Sequence, residues 1–151
     1  MRVNSMNILV IDAQGGGIGK QLVARIKKEY PSENIIAVGT NSIATAAMIK
    51  AGADQGATGE NAVVVACRSA DIIIGPVGII ITDAMLGEVT ATIAQSVARA
   101  KATRILIPFN MCDTLIAGIK DANTSNLINA AMESLRLYIN ISDPSPRRSN
   151  P

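Results

Sequence analysis

The chain has 151 residues, a formal net charge of +2, and only 17% charged residues, against about 25% in ordinary soluble domains. A domain of this size buries roughly 68–70% of its unfolded surface, enough to hold a core without disulfides or a structural metal; with 2% aromatic residues, that core must be filled by Ile, Val, Leu, Ala and Met. The absence of histidine excludes His-dependent triads and His-ligated metals, two cysteines are too few for a zinc site, and no basic stripe interleaved with aromatics points to nucleic acid.

In chain order, residues 7–12 (Asn-Ile-Leu-Val-Ile-Asp) form a β-branched, apolar run that predicts a strand buried on both faces. Glycines follow, then helical spacing that puts Ile18, Leu22, Val23, Ile26 and Tyr30 on one face, opposite Lys20, Arg25, Lys27, Lys28 and Glu29, with Pro31 closing the helix. A second strand is expected over 35–39. Thr40 or Asn41 can cap a helix over 42–50, and Gly52 suits its end. A short strand over 55–58 and a helix over 60–69 follow. A strand over 71–75 comes next, and residues 78–87 are ambiguous between strand and loop. The remaining expectations are a helix over 88–100, a buried strand over 104–109 and a helix over 126–139.

This alternation predicts an α/β, Rossmann-like three-layer fold, a mostly parallel sheet with helices on both faces. Residues 6–141 read as one domain, 1–5 as an extension, and the polar, Pro-rich 142–151 as a disordered tail. No targeting signal is visible, and the most apolar stretch, 72–81, is broken by Gly75-Pro76 and falls short of a membrane span. A cytoplasmic protein with two reduced thiols, Cys67 and Cys112, is expected. The low charge leaves apolar surface that a second copy would cover, so a homo-oligomer is expected too.

The segment Asp12-Ala13-Gln14-Gly15-Gly16-Gly17-Ile18-Gly19-Lys20 joins the first strand to the first helix. Glycines let backbone amides approach an anion, and a helix start carries partial positive charge, so this is where a phosphate would sit. Named patterns fit only partly. A G-x-G-x-x-G fingerprint would need glycine at Lys20. The short-chain dehydrogenase loop matches Gly17-Ile18-Gly19, but that family's Tyr-x-x-x-Lys pair is missing. A Walker A loop, or the variant of partitioning-type ATPases, would place Gln21 where a hydroxyl is needed.

In open parallel sheets ligands lie outside the carboxyl ends of the strands, which gathers Asp12, Thr40, Asn41, Ser42, Gly75, Pro76 and Asn110 as further binding candidates. Asp12 and Asp113 are the candidates for proton transfer and Cys112 for a nucleophile. Each has a structural alternative, as a capping carboxylate or a buried thiol. The sequence thus favours a domain that binds a nucleotide, a dinucleotide or another phosphorylated small molecule. Its rivals are a non-catalytic oligomeric subunit whose glycine turn serves packing alone, and an NAD(P)-type oxidoreductase.

The stretches Met6-Asn-Ile-Leu-Val-Ile-Asp12, Gln14-Gly-Gly-Gly-Ile-Gly-Lys-Gln-Leu22, Ala37-Val-Gly-Thr-Asn-Ser-Ile-Ala-Thr45, Ala57-Thr-Gly-Glu-Asn-Ala62 and Ala70-Asp-Ile-Ile-Ile-Gly-Pro76, with Ile107-Pro108, Asn110 and Cys112, closely resemble an uncharacterised bacterial family of clostridial type, the domain of unknown function 3842. The resemblance runs from residue 6 to about 118 and implies no activity, substrate or catalytic residue. Ala13 stands where that family would have glycine.

Overall fold

The computed structural model describes residues 5–109, 113–119 and 123–142. Five strands form a single parallel sheet: β1 (Asn7–Asp12), β2 (Asn34–Gly39), β3 (Gln55–Thr58), β4 (Ile72–Pro76) and β5 (Thr103–Ile107), in the order β3-β2-β1-β4-β5. The helices are α1 (Gly17–Glu29), α2 (Ser42–Lys50), α3 (Glu60–Ser69), α4 (Ala91–Arg99) and α5 (Thr124–Ser142), with a 3₁₀ turn at Val77–Ile80 after β4. This is the Rossmann-like, three-layer α/β arrangement that the alternating pattern predicts.

Period-two alternation divides the core. Ile8 and Val10 of β1, with Ile35, Ala37, Ile72 and Ile74, pack under α1, α2 and α5. Leu9 and Ile11, with Val38 and Ile73, pack under α3, α4 and the β4–α4 connection. Ile8, Leu9, Val10 and Ile11 are all fully buried, each side chain stabilising the fold by roughly 1.5–3 kcal/mol relative to exposure. The alternation matters for the site: position 12 falls on the α1 side, so the β1 register carries Asp12 beneath the start of α1. Strand order reverses between β1 and β4, the kind of switch point at which such sheets open a crevice.

Several boundaries differ from expectation. The fourth helix starts at Ala91, not at residue 88, because Thr90 caps it by accepting the Ile93 amide (3.1 Å). Glu88 is thereby left in the preceding loop. Residues 78–87 are neither strand nor open loop but the 3₁₀ turn and a knot of tight turns, with Asp83 donating its amide to Val89 (2.7 Å) and Val89 to Ala84 (3.2 Å). The last strand is an edge strand, exposed at Thr103 and Arg104, rather than a buried one. The terminal helix extends through Ser142, so the first residue of the expected tail is helical. The rest of that tail, 143–151, and most of the expected extension, 1–4, lie outside the described residues. No helix among the described residues is long and apolar enough to cross a membrane.

Candidate functional site

The β1–α1 loop is built by two residues in the left-handed region, Gln14 (φ 52°) and Gly16 (φ 72°). Ala13 accepts the Gly16 amide at 3.0 Å, closing a tight turn that delivers the chain into α1. Asp12 lies under this turn. Its buried carboxylate accepts the Ala13 amide at 2.8 Å and the Gly19 amide at 2.7 Å. Asp12 thus caps α1 from inside. Burial raises its pKa above the ordinary value, the Glu88 charge adds to that, and the amides of Gly19, Ala13 and Ile18 oppose it.

The loop's glycines divide into two classes. At Gly16 a Cβ would lie 2.9 Å from the Ala44 Cα, on top of its left-handed φ; at Gly19 it would lie 2.6 Å from the Met48 sulfur and 2.8 Å from the Asp12 Cβ. Both are required by packing. At Gly15 and Gly17 the φ is ordinary and a Cβ would meet nothing within 4 Å. Nothing in the described fold demands glycine at either position.

These two open glycines face a cavity of about 200 Å³ lined by Asp12, Ala13, Gln14, Gly15, Gly16, Gly17, Ile18, Gln21, Phe109 and Thr124. Gln21 folds back to donate to the Gly17 carbonyl at 3.1 Å. Phe109, just beyond β5, is half-buried against the α1-side core and gives the cavity an apolar wall. Among the described lining residues Asp12 is the sole titratable side chain.

The other candidates are distributed differently. Lys20 does not line this cavity; it lies with Lys50, Ala24 and Ala47 along an exposed groove between α1 and α2. Asn41 caps α2, accepting the Ala44 amide at 2.9 Å, while its side-chain nitrogen reaches the Gln14 carbonyl at 2.9 Å. Ser42 is exposed. Gly75 and Pro76 are buried in β4, where a Cβ on Gly75 would collide with the Ile11 carbonyl oxygen; they pack strands together and do not reach the cavity. Asp113 is exposed with φ 56° and is not among the cavity's lining residues. Asn110 and Cys112 lie outside the described residues. Cys67 is buried on α3, and burial pushes its thiol pKa up to about 11, which keeps it protonated and unreactive.

Sequence reasoning missed Glu88. One carboxylate oxygen accepts from the Gln14 amide (3.0 Å), the Thr40 hydroxyl (2.8 Å) and the Asn41 side-chain amide (2.6 Å). Burial raises its pKa, but the bonds from Asn41, Gln14 and Thr40 outweigh that and hold it below the ordinary value. Gln14, Gln21, Phe109 and Thr124 were missed as well. The available signal for Phe109 was its type: the single Phe of the chain follows a strand's carboxyl end.

The family model for a domain of unknown function (DUF3842) matches residues 7–140. The chain belongs to this family. The DUF3842 match extends past the region of resemblance in the sequence to include most of α5. No curated protein matches the chain. A solved structure, the dodecameric FMN-dependent Ubix-like decarboxylase from Escherichia coli O157:H7, is similar at 13% identity, over 97% of this chain and 100% of the other, with a TM-score of 0.42. A likeness of that size says nothing about the ligand of a DUF3842 domain.

Proposed function

We propose that this chain is a binding domain for a phosphorylated small molecule, nucleotides included, held with its phosphate over Gly15 and Gly17. The supporting observation is that these two glycines have no packing role. A turn that served packing alone accounts for Gly16 and Gly19, which sit against Ala44, Met48 and Asp12. It leaves Gly15 and Gly17 unexplained, whereas an anion approaching the backbone needs both positions bare. A Cβ at either would occupy the space a phosphate oxygen needs.

Binding without chemistry is the simpler form of this reading. Asp12, the titratable group of the described lining, has its carboxylate engaged by Ala13 and Gly19. It positions the loop instead of exchanging protons. The test is a thermal-shift panel of inorganic phosphate, sugar phosphates, AMP, ATP, GTP, FMN, coenzyme A, NAD(H) and NADP(H). At least one member is expected to raise the unfolding midpoint; at a concentration 100 times Kd the gain is about 2.7 kcal/mol. Gly17→Val should remove that gain while leaving the circular dichroism spectrum unchanged. Silence from the whole panel would favour a purely structural turn in an assembly subunit.

A further inference from the structure

We propose that Glu88 is the residue that sets ligand class at this site, closing the β2 side of the glycine loop so that the pocket takes a ligand with one phosphoryl-bearing end and rejects dinucleotides. The inference rests on the reading above. A dinucleotide in a Rossmann-type sheet spans the loop, with its pyrophosphate at the α1 start and one ribose against the end of the second strand. In this chain that end is Thr40-Asn41, and its polar groups are already committed. The Thr40 hydroxyl and the Asn41 side-chain nitrogen both donate to Glu88, and the Gln14 amide beside them does the same. A ribose placed there would find these three donors already taken by a single carboxylate oxygen.

The segment that presents Glu88 is built for the purpose. Asp83 (φ 65°), Met85 (φ 56°), Leu86 (φ 58°) and Gly87 (φ 85°) are all left-handed, and three of them are not glycine. Such conformations persist only where the surroundings impose them. Here Ala84 and Met85 are buried in the core, and Glu88 donates its own amide to Met85 at 3.3 Å. The knot is therefore anchored from below and projects the carboxylate across 74 positions of sequence to Gln14.

The cavity has the matching shape. Its described lining runs from the loop toward Phe109 and Thr124, on the β5 side, and includes neither Thr40 nor Asn41. Its volume of about 200 Å³ lies below the roughly 300–1,000 Å³ of pockets that enclose drug-sized ligands. A phosphate at Gly15 and Gly17 with its organic part against Phe109 uses the open side alone.

The test is titration calorimetry with inorganic phosphate, AMP and NAD⁺ on the wild-type chain, Glu88→Ala and Glu88→Gln. The wild type should bind phosphate or AMP at least about tenfold more tightly than NAD⁺. Glu88→Ala should improve NAD⁺ binding by about tenfold or more and leave AMP nearly unchanged. Glu88→Gln keeps an accepting oxygen and should retain the wild-type preference, which covers the case of an alanine variant that does not fold. Wild-type protein that binds NAD⁺ as tightly as AMP would overturn the role of Glu88 and leave the glycine-loop reading standing. Binding of none of the three by the wild type would overturn the Glu88 proposal, whereas the glycine-loop reading falls only if the whole thermal-shift panel is silent as well.

Discussion

The Gly19 amide donates a 2.7 Å hydrogen bond to the carboxylate of Asp12, and a Cβ at position 19 would stand 2.8 Å from the Asp12 Cβ. The two residues are fitted to each other, and the consequence is electrostatic. A carboxylate at the inner side of a helix start satisfies amides that would otherwise be orphaned, and it offsets part of the positive end of the helix dipole. What remains for an external anion is the outer side, at Gly15 and Gly17.

Asp12→Asn should therefore change affinity for the bound phosphate compound by no more than about tenfold, about 1.4 kcal/mol, as expected of a positioning residue. Its effect on stability should depend on pH. Asp12 has a raised pKa, so its contribution is fully present below the unfolded value and is lost as pH rises through the folded one. Urea melts at low, intermediate and neutral pH should show the stability gap moving in favour of Asn as pH rises. A gap moving toward Asp would mean that the Gly19 and Ala13 bonds outweigh burial.

The two classes of glycine should separate in stability measurements. Gly17→Ala adds a Cβ in open space at the first turn of α1 and should leave stability within about 0.5 kcal/mol, with a gain the expected sign because alanine favours helix. Gly16→Ala places a side chain in the left-handed region, which costs roughly 1–2 kcal/mol, and adds the collision with Ala44. A loss of about 2 kcal/mol or more in chemical unfolding is expected there. Equal losses at the two positions would remove the distinction on which the binding reading depends.

Much of this was legible in the sequence because the central strands β1, β2 and β4 are mostly apolar and α1 and α4 keep a 3.6 period. Ile18, Leu22, Val23 and Ile26 are buried on α1 as their spacing requires. The loop was legible from its glycines, but their division was not, since it depends on Ala44 and Met48 arriving from α2. Glu88 was read as the start of a helix because Val89, Ile93 and Val97 are in helical register. All three are buried, yet Val89 reaches the core from a turn, with the helix starting only after the Thr90 cap. Periodicity identifies which residues face the core and is blind to a cap that moves a carboxylate out of the helix and across to Gln14.

Assembly should be visible in solution. Leu86 and Leu115 are 98% and 93% exposed, and Leu137 and Ile141, four residues apart on α5, are 50% and 80% exposed. Residues at that spacing share a helix face, and large apolar side chains grouped this way favour a covering partner. Light scattering behind a sizing column should give a mass at least twice the 15.7 kDa of one chain. Combining Leu137→Glu with Ile141→Glu should lower it. A monomer at micromolar concentration would argue against a homo-oligomer.

The pH dependence of Glu88 should run opposite to that of Asp12. The bonds from Asn41, Gln14 and Thr40 hold its pKa below the ordinary value. A depressed carboxylate contributes stability that is present above the unfolded pKa and lost as pH falls through the folded one. The window therefore lies at and below about pH 4.5, its ordinary value. Hydrogen bonds to a charged group contribute about 1.5–3 kcal/mol when well shielded, and partial exposure of Glu88 lowers the expectation to roughly 1–2 kcal/mol. Glu88→Gln should be less stable than the wild type by that amount at neutral pH, and the two should converge on acidification. Because Glu88 also raises the Asp12 pKa, Glu88→Gln should shift the Asp12 titration downward, which carboxyl-carbon NMR can follow residue by residue. A difference that persists unchanged to low pH would show that the clasp holds by shape and not by charge.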